Sequence, residues 1–534
     1  MQTVSKARKS GVFWFLIAAV LLLDGCSILP KPITQDEQQK LLYQDRIKAQ
    51  KEVEPVGKSL TLHEAVARGI KYNLDYRSKM MEQAIAMGVS DLSNYDMLPK
   101  VVANAGYNYR NNYFITTATG AYSGNPSLNE PFVSSAKTYD TTGLMLSWNL
   151  LDFGVSYFNA RQNADRIIVA SEKRRRTMHV LVQDIQVAYL RAASAQKLKS
   201  DLQKTVKEAN EALENSRKTD SQGLKAPIDA LKYQKSLLDN VKILETIDQE
   251  LTSAKIELNQ LINLPASTSY TLEDPDKITA PNSYAHADVR EFEVRALAHN
   301  ADLKEGIYNA RIAVEETHKS ILKLLPGISF NYGPQATNNS FYINKNWVEG
   351  AAQISFNLWN ILTAPATIKL ADANQDLAQQ KRMMVQMAVI GQVYLSKQQL
   401  ENALQLYQRS AEIDKVDSKI AKITADKEKE GAASQAEKVA ANSSAIVSKL
   451  RKYQALSQLF AASGKMQATS GMEPDIGSVN DISLGDLTKI VKKSFEEWNS
   501  GKLPPVELQP QPVSETSKSS DAVAVNSSSS SATR

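Results

Sequence analysis

Few side chains of this 534-residue sequence have the types and spacing that specific chemistry requires. Its single cysteine, Cys26, rules out a disulfide within the chain. The five histidines, at positions 63, 179, 286, 299 and 318, show no metal-ligand spacing, and no phosphate-binding glycine loop occurs. We therefore expect a protein that is not an enzyme and uses no cofactor and no metal. The net charge of +5, spread along the chain, indicates a solvated surface and no nucleic-acid partner.

Two carboxylates stand at equivalent places after predicted helix ends. Asp229 follows Gly223 by six residues, and Glu437 follows Gly431 by six residues. Glycine commonly ends a helix, and an acid in the first turn of the next helix complements the helix dipole. That local role would explain both acids without a further function. Alternatively, copies of these acids brought together in an assembly would form a ring that attracts cations.

The amino-terminal residues predict export and a lipid anchor. Three basic residues precede an apolar run at 11–23, which has the length of a signal peptide and is too short to span a membrane. Leu23-x-Gly25-Cys26 resembles a bacterial lipoprotein box, although Asp24 departs from its usual small residue. This resemblance implies acylation of Cys26, and Ser27 resembles an outer-membrane sorting choice. An uncleaved anchor or a coincidental cysteine are the alternatives.

The sequence repeats one pattern twice. RGIKYNLDY from Arg68 matches RALAHNADL from Arg295, and Leu98-Pro99 matches Leu325-Pro326, both at an offset of 227 residues. SWNLLD at 147–152 matches SFNLWN at 355–360, and Gly223 matches Gly431, at an offset of 208. The change of 19 residues places one longer insertion in the first copy. A unit of this size indicates a duplicated architecture rather than a solenoid.

Each copy contains two segments in which apolar and polar residues alternate. Runs of about ten residues with this period are typical of transmembrane β-strands. Four strands cannot close a barrel, and open sheet edges are not tolerated in hydrocarbon, so we expect oligomerisation, with twelve strands in a trimer. Soluble hairpins with one buried face are the alternative. The predicted lipid-facing residues are Leu144, Leu146, Trp148, Phe330, Ile354 and Phe356, and we expect Trp148, Trp347 and Trp359 in the interfacial girdle.

Long helices are predicted between these segments. Residues 155–222 contain neither Gly nor Pro, and residues 366–430 contain only Gly391. A helix of this length reaches roughly 100 Å and is charged throughout, so it must project into water. Apolar residues step by threes and fours, from Leu181 to Leu213 and from Leu244 to Leu261, which predicts coiled-coil hairpins.

The order and duplication of these motifs, over about Leu60 to Gly464, resemble the TolC-type outer-membrane efflux protein family. The resemblance implies an α+β membrane protein with a duplicated helix–β-hairpin–helix unit, whose trimeric 12-strand β-barrel continues into a long periplasmic α-helical barrel. It also implies docking of a periplasmic adaptor (membrane fusion) protein at the helical turns, at Gly223, Leu224 and Gly431. Glu437 matches the first of two acids at the family's entrance constriction, and Ala440 stands at the second.

These inferences divide the chain into seven parts. The predicted parts are a signal peptide at 1–25, a lipid-anchored strap at 26–58, a first repeat at 59–264 with its hairpin at 100–150, an equatorial linker at 265–288, a second repeat at 289–464 with its hairpin at 327–358, an equatorial segment at 465–503, and a disordered tail at 504–534.

The predicted function is the outer-membrane exit duct of a tripartite efflux system for small toxic compounds. Its expected partners are two further copies in a homotrimer, the adaptor, an inner-membrane transporter and outer-membrane lipid. The expected location is the outer membrane of a Gram-negative bacterium, with a lipid anchor and an extension into the periplasm. The exit channel of a type I protein secretion system is one alternative, and a lipid-anchored periplasmic coiled-coil scaffold is another.

Overall fold

The computed structural model describes residues 31–126, 130–221, 227–281, 283–474, 476–477, 479 and 481–501. The predictions for the signal peptide, Cys26, Gly223, Leu224 and the tail at 504–534 lie outside these residues, as does the side chain of Asp229. The chain divides into two compact units, Met1–Pro55 and Val56–Arg534. In the first unit, helix α1 (Gln35–Lys51) begins with a capping box between Thr34 and Glu37.

The second unit contains the two predicted repeats. In the first repeat, β1 (Ser59–Leu60) precedes the other elements, which are α2 (Leu62–Tyr72), α3 (Leu74–Tyr95), β2 (Lys100–Tyr109), β3 (Phe114–Thr116), β4 (Phe132–Ser135), β5 (Thr138–Asn149), α4 (Leu150–Ser221) and α5 (Pro227–Leu261). After β6 (Thr271–Leu272), the second repeat consists of α6 (Val289–His299), α7 (Ala301–Leu322), β7 (Gly327–Thr337), β8 (Asn346–Ser355), α8 (Trp359–Lys429) and α9 (Gln435–Thr469), and α10 (Leu484–Asn499) follows it.

Helix lengths in the two repeats agree closely, which confirms the duplication. Helices α2 and α6 have 11 residues each, and α3 and α7 have 22 each. Helices α4 and α8 have 72 and 71 residues, and α5 and α9 have 35 each. No helix among the described residues is both long enough and apolar enough to cross a membrane.

The same asparagine joins the short helices in each repeat. Asn73 ends α2 and begins α3, where its side-chain oxygen accepts a hydrogen bond from the Tyr76 amide at 3.0 Å. Asn300, which is 227 residues later, accepts from the Leu303 amide at 2.9 Å. Each asparagine also donates to the end of a long helix, at 3.0 Å to Leu261 O and 2.9 Å to Thr469 O. In each repeat, one asparagine side chain therefore caps one helix and binds the end of another.

Glycine or asparagine in the left-handed region ends the long helices. Gly431 has φ +73°, and the hydrogen bonds of the Gly431 and Ala432 amides to Glu428 O and Lys427 O form a Schellman motif after α8. Asn263 (φ +54°) and Gly471 (φ +66°), 208 residues apart, form the same motif after α5 and α9. The repeat therefore extends to the backbone conformation of single residues.

The predicted apolar seam of the long helices is confirmed. Leu198 and Leu202 of α4 are buried against Leu244 of α5 and Ile446 and Tyr453 of α9. Nearer the turns that join the paired long helices, a second cluster contains Ala209, Ala212, Leu213, Leu237, Val241 and Val439. The seam therefore packs three helices together, because α9 of the second repeat lies against α4 of the first.

The four long strands form one antiparallel sheet in the order β2-β5-β7-β8. Among the described residues, neither β2 nor β8 has a partner along its outer edge. The first hairpin has register Lys100↔Ser147, and the second has Gly327↔Ser355, which are the equivalent pairs at offsets of 227 and 208. The equivalent pairs continue to the loop ends of both hairpins, at Tyr109↔Thr138 and Ala336↔Asn346. The 19 extra residues therefore lie wholly in the first loop.

Smaller elements join the repeats near the middle of the long helices. Strand β6 pairs in parallel with β1, and the hydroxyl of Tyr189 on α4 donates to Leu60 O at 2.7 Å. Helix α10 packs on α2, where Lys71 Nζ donates to Ile482 O at 2.9 Å. The linker after α5 and the segment after α9 thus both contact the first repeat.

Candidate functional site

An asparagine positions each long helix at the end of the sheet. Asn149 Oδ1 accepts hydrogen bonds from the amides of Leu151 at 2.9 Å and Asp152 at 3.2 Å. Asn357 Oδ1 accepts from the Trp359 amide at 3.1 Å. These are the asparagines of the repeated Ser-aromatic-Asn-Leu motif, and a side-chain oxygen at this position satisfies amides that have no partner within the helix. The motif therefore marks the change from strand to helix.

The strand register divides the sheet into one apolar and one polar face. Residues paired directly across antiparallel strands point to the same face, and the pairs Trp148↔Phe330, Leu146↔Tyr332 and Ile328↔Ile354 belong to the apolar one. Five of the six residues predicted to face lipid lie on it, namely Leu144, Leu146, Trp148, Phe330 and Ile354. The sixth, Phe356, follows the last residue of β8, Ser355.

Trp347 does not lie on the predicted face. It pairs with Gln335, so that it shares the polar face with Gly143 and Asn104. Its ring stacks against Tyr342 of the preceding loop, between β7 and β8, with ring centroids 6.1 Å apart and planes 14° apart. The register therefore places Trp347 off the apolar face on which we expected the interfacial girdle, because an odd number of residues separates it from Ile354 and the two side chains point to opposite faces.

The apolar face of this sheet is more exposed than its polar face, which is the reverse of a soluble sheet. On the apolar face Leu144 is 46%, Phe330 is 45% and Ile354 is 71% exposed. On the central strands the alternating polar-face residues, such as Thr141 and Asn331, are half-buried. A soluble hairpin would bury its apolar face, so this exposure contradicts the soluble alternative. An exposed apolar band with a polar opposite face is typical of a wall between lipid and water.

Ionic contacts join the two repeats within the chain. The guanidinium of Arg311 on α7 forms a two-pronged pair with the buried carboxylate of Asp165 on α4, with Nε 2.7 Å from Oδ2. Arg161 contacts Glu315 at 2.8 Å in the same junction. Gln162, which is fully buried, donates to Ile312 O at 3.1 Å. The α4–α7 junction is therefore polar and specific.

Helices α3 and α8, the repeat equivalents of α7 and α4, carry exposed apolar side chains. Helix α7 packs between α4 and α8, whereas α3 packs on α4 and makes no comparable contact with α8 in the described part. On α3, Ile85 is 66% and Leu92 is 67% exposed; on α8, Leu370 is 64% and Met387 is 66% exposed. Apolar surface of this extent on two helices indicates an interaction site.

A buried ionic cluster joins α4 to the segment after α9. Arg175 Nε donates to Glu473 Oε1 at 2.7 Å, and its other nitrogens contact Glu172 and, at 3.3 Å, His299 O. His179 Nε2 lies 3.6 Å from Glu473 Oε2, which is too long for a hydrogen bond. Burial, and secondarily Arg175, lower the pKa of His179 to about 4, so its ring is neutral at pH 7.

At the turn between α8 and α9, Glu437 has a local structural role. The Ser434 amide donates to its Oε2 at 2.7 Å, and the Glu437 amide donates to Ser434 Oγ at 3.2 Å, which is a capping box. The hydrogen bond from the Ser434 amide, followed by that from its hydroxyl, lowers the pKa of the Glu437 carboxyl below 4.5. The side chain is solvent-exposed and therefore also free to act electrostatically at the turn.

Several structural residues were absent from the sequence predictions. Asn73 and Asn300 stand at the same place in the repeated motifs, so the duplication itself held a signal for their shared role. The pair Asp165–Arg311 and the contact of Arg175 with Glu473 join residues 146 and 298 positions apart. Nothing local in the sequence distinguishes these charges from the many that face water.

Known structures share this architecture. The Campylobacter jejuni CmeC outer membrane channel has 12% sequence identity, covers 82% of this chain and 89% of its own, and gives a TM-score of 0.60. The outer membrane protein VceC of Vibrio cholerae has 13% identity, coverages of 77% and 97%, and a TM-score of 0.57. The open state of the Neisseria gonorrhoeae MtrE outer membrane channel has 14% identity, coverages of 78% and 91%, and a TM-score of 0.57.

This chain has the fold of the TolC-type outer-membrane channels. The resemblance predicted from the order of its motifs is thereby confirmed at the level of the fold. No protein-family model matches the sequence, and no curated protein matches it either. The likeness therefore resides in the helix and strand arrangement of this TolC-type fold, at 12–14% identity to the structures described above.

The neutral His179 predicts a pH dependence of stability. Its pKa is about 4 in the folded chain against an ordinary 6.5, so below pH 6.5 the unfolded chain takes up a proton that the folded chain does not. Stability should therefore fall between pH 6.5 and 4, by about 3 kcal/mol in total. Urea denaturation of the detergent-solubilised protein at several pH values measures this loss.

His179→Gln should remove most of the loss, while His318→Gln, at a half-exposed position, should leave it unchanged. Identical pH profiles for the wild type and His179→Gln would contradict the assignment. Burial also raises the pKa of the Glu172 carboxyl, so its protonation in the folded chain adds stability as the pH falls. The loss caused by His179 is therefore the difference between the wild-type and His179→Gln profiles.

Proposed function

We propose that this chain is one subunit of a homotrimeric outer-membrane duct, the exit channel of a tripartite efflux system that carries small toxic compounds out of the periplasm. In this proposal Cys26 is acylated after removal of residues 1–25 and anchors the protein in the outer membrane of a Gram-negative bacterium. The sheet spans that membrane, and the long helices extend into the periplasm.

The observation that carries the proposal is the exposed apolar face of an open sheet. In water, this face would leave Leu144, Phe330 and Ile354 unburied. In lipid, the unpaired edges of β2 and β8 would leave backbone groups without hydrogen bonds. Both problems have one solution, in which β8 of each copy pairs with β2 of the next around a closed ring. Three copies of four strands give twelve.

The long helices support the same assembly. Exposed apolar residues on α3 and α8 would be covered when neighbouring copies pack together. In the TolC-type arrangement the helical turns then form the periplasmic entrance, with Gly223, Leu224 and Gly431 at the surface that an adaptor protein contacts. An inner-membrane transporter would supply the energy for transport through this passive duct.

A pair of adjacent substitutions tests the membrane wall. Leu146→Arg places a charge on the apolar face, and Ser147→Arg places the same charge on the polar face. The cost of an arginine that faces lipid rises from about 0–1 kcal/mol near the membrane interfaces to about 2–4 kcal/mol at the midplane, and all three copies incur it, whereas lumen residues mainly tune selectivity. We expect Leu146→Arg to abolish the heat-sensitive trimer and its ion conductance in planar bilayers. Ser147→Arg should assemble normally and conduct with a lower preference for cations.

If Leu146→Arg assembles while Ser147→Arg fails, the faces are assigned the wrong way round. A wild-type protein that is monomeric and does not conduct ions would instead favour the lipid-anchored periplasmic scaffold. Cell fractionation of the same variants adds a measurement of outer-membrane insertion.

The acids at the helical turns are the candidate entrance gate. Glutamine retains the hydrogen bonds of a capping box but removes the charge, so Glu437→Gln separates a gate role from helix capping. With Asp229→Asn, we expect reduced cation selectivity at unchanged thermal stability, because a ring of carboxylates attracts cations. The control is Ser434→Ala, which should lower stability and leave ion selectivity close to wild type. Unchanged selectivity in the double variant would exclude these acids from the gate.

The class of cargo requires a measurement in cells. Deletion of the gene from its host should increase sensitivity to several small toxic compounds, and the profile of secreted proteins should remain unchanged. Complementation with the wild type, but not with Leu146→Arg, should restore resistance. Loss of a secreted protein without a change in drug sensitivity would assign the duct to type I secretion.

A further inference from the structure

The repeat symmetry specifies contacts that a single chain cannot make. Strands β5 and β7, and helices α4 and α7, form a junction between the first repeat and the second. The equivalent strands, β8 and β2, are the two outer edges of the described sheet, and the equivalent helices, α8 and α3, make no comparable contact with each other in the described part of the chain. We propose that neighbouring copies join through β8 and β2 in the register of the β5–β7 junction, with α8 against α3. This inference rests on the proposed ring of copies.

The register follows from two offsets. Residues of β2 correspond to β7 at +227, and residues of β5 correspond to β8 at +208, and both hairpins agree with these offsets along their whole length. The observed pair Ser147↔Asn331 then becomes Ser355 opposite Asn104 of the next copy. Likewise, Thr141↔Thr337 becomes Glu349 opposite Arg110 of the next copy.

Charge complementarity independently supports this register. Within the chain, Thr141 lies opposite Thr337 in the junction, and their hydroxyl groups donate to Gly106 O and Asp140 O. At the equivalent place between copies, the residues are Glu349 and Arg110, which carry opposite charges. Both lie on the polar face, and opposite charges directly across a strand pair are favourable. A shift of the register by one residue would move one partner to the apolar face.

On the apolar face of the proposed β8–β2 junction, the residues are also complementary in size. Gly350 lies beside Tyr332 within the chain, where its Cβ position would be 3.5 Å from the tyrosine ring. The register places Tyr109 of the next copy on its other side, so two tyrosines cover one glycine. It also places Phe356 opposite Ala103 of the next copy, which would extend β8 by two residues to match β5. The early end of β8 in the single chain then has a cause, since its outer partner is missing.

In the proposed α8–α3 junction between copies, apolar residues stand where the α4–α7 junction within the chain has polar contacts. Within the chain, Gln162 contacts Ile312 O at 3.1 Å and Lys319 Nζ at 3.3 Å. The equivalents between copies are Leu370 with Ile85 and Leu92 of the next copy. These three apolar side chains are each more than 60% exposed in the single chain. The repeat offsets thus place these three exposed side chains together at one junction.

The ion pair between Asp165 and Arg311 changes in the same way. Its equivalents are Ala373 and Ala84, whose short side chains allow α8 and α3 to approach closely. Glu315, which pairs with Arg161 within the chain, corresponds to Gly88, and a Cβ at that glycine would meet nothing within 4 Å. Small residues at these two α3 positions would let the α8 of a neighbouring copy approach closely.

Disulfide cross-linking tests the register directly. In Ala351→Cys/Asn108→Cys, the cysteines are predicted to be directly opposite across the seam, and mild oxidation should give a covalent trimer on a non-reducing gel. Ala351→Cys/Asn104→Cys is the matched control, four residues out of register, and should not cross-link efficiently. Each single variant reports any participation of the native Cys26.

A charge exchange provides the second readout. Glu349→Arg should lower the thermal dissociation temperature of the trimer, because it faces Arg110, and Glu349→Arg/Arg110→Glu should restore it. Cross-linking in the control pair, or no restoration by the exchange, would overturn the register. If the protein gives either of these results but still forms a conducting trimer, the proposed duct stands and only the register between copies is wrong. A monomer without conductance would reject the duct itself.

Discussion

Backbone hydrogen bonding at the edges of the four-stranded sheet is the constraint on which the rest of the structure depends. Hydrocarbon offers no partner to an unpaired amide or carbonyl, so a sheet with an exposed apolar face must close on itself or on copies of itself. Two repeats supply only four strands, and their interior would be too narrow for a passage. The polar face, the long helices and the exposed surfaces of α3 and α8 are consistent with closure by copies.

Duplication transfers this constraint to the helices. Each repeat enters its sheet after a Leu-Pro pair and leaves it through an asparagine cap, Asn149 or Asn357. Both exits use an asparagine cap, and α4 and α8 begin within one residue of equivalent positions, at Leu150 and Trp359. Asn73, which is half-buried, and Asn300, which is buried, then attach the short helices to the ends of α5 and α9. Local hydrogen bonds at four positions thereby set the course of helices about 100 Å long.

Much of this fold could be predicted from the sequence, since period-two and period-three-to-four patterns are local signals. The hairpin bounds, the apolar face and the helical seam followed from such patterns. Trp347 was misplaced because parity depends on where a strand starts, and aromatic residues occur on both faces. The ionic contacts of Asp165 and Arg175 had no local signal, because partners more than a hundred residues away are defined only by the packing of helices. Glu437 carried a signal for capping, in the Ser-x-x-Glu spacing, that does not distinguish capping from a gate.

The two kinds of junction differ in a way that free energies of association explain. Repeats within one chain are already linked, so ionic pairs such as Asp165–Arg311 can specify their orientation without having to supply much binding energy. Separate copies lose translational and rotational freedom on assembly, at a cost of about 4–15 kcal/mol. In the proposed ring, burial of apolar side chains such as Leu370, Ile85 and Leu92, each worth about 1.5–3 kcal/mol when fully covered, would offset that loss. A polar helix junction inside the chain and an apolar helix junction between the proposed copies therefore suit the linked and the unlinked sides of the same architecture.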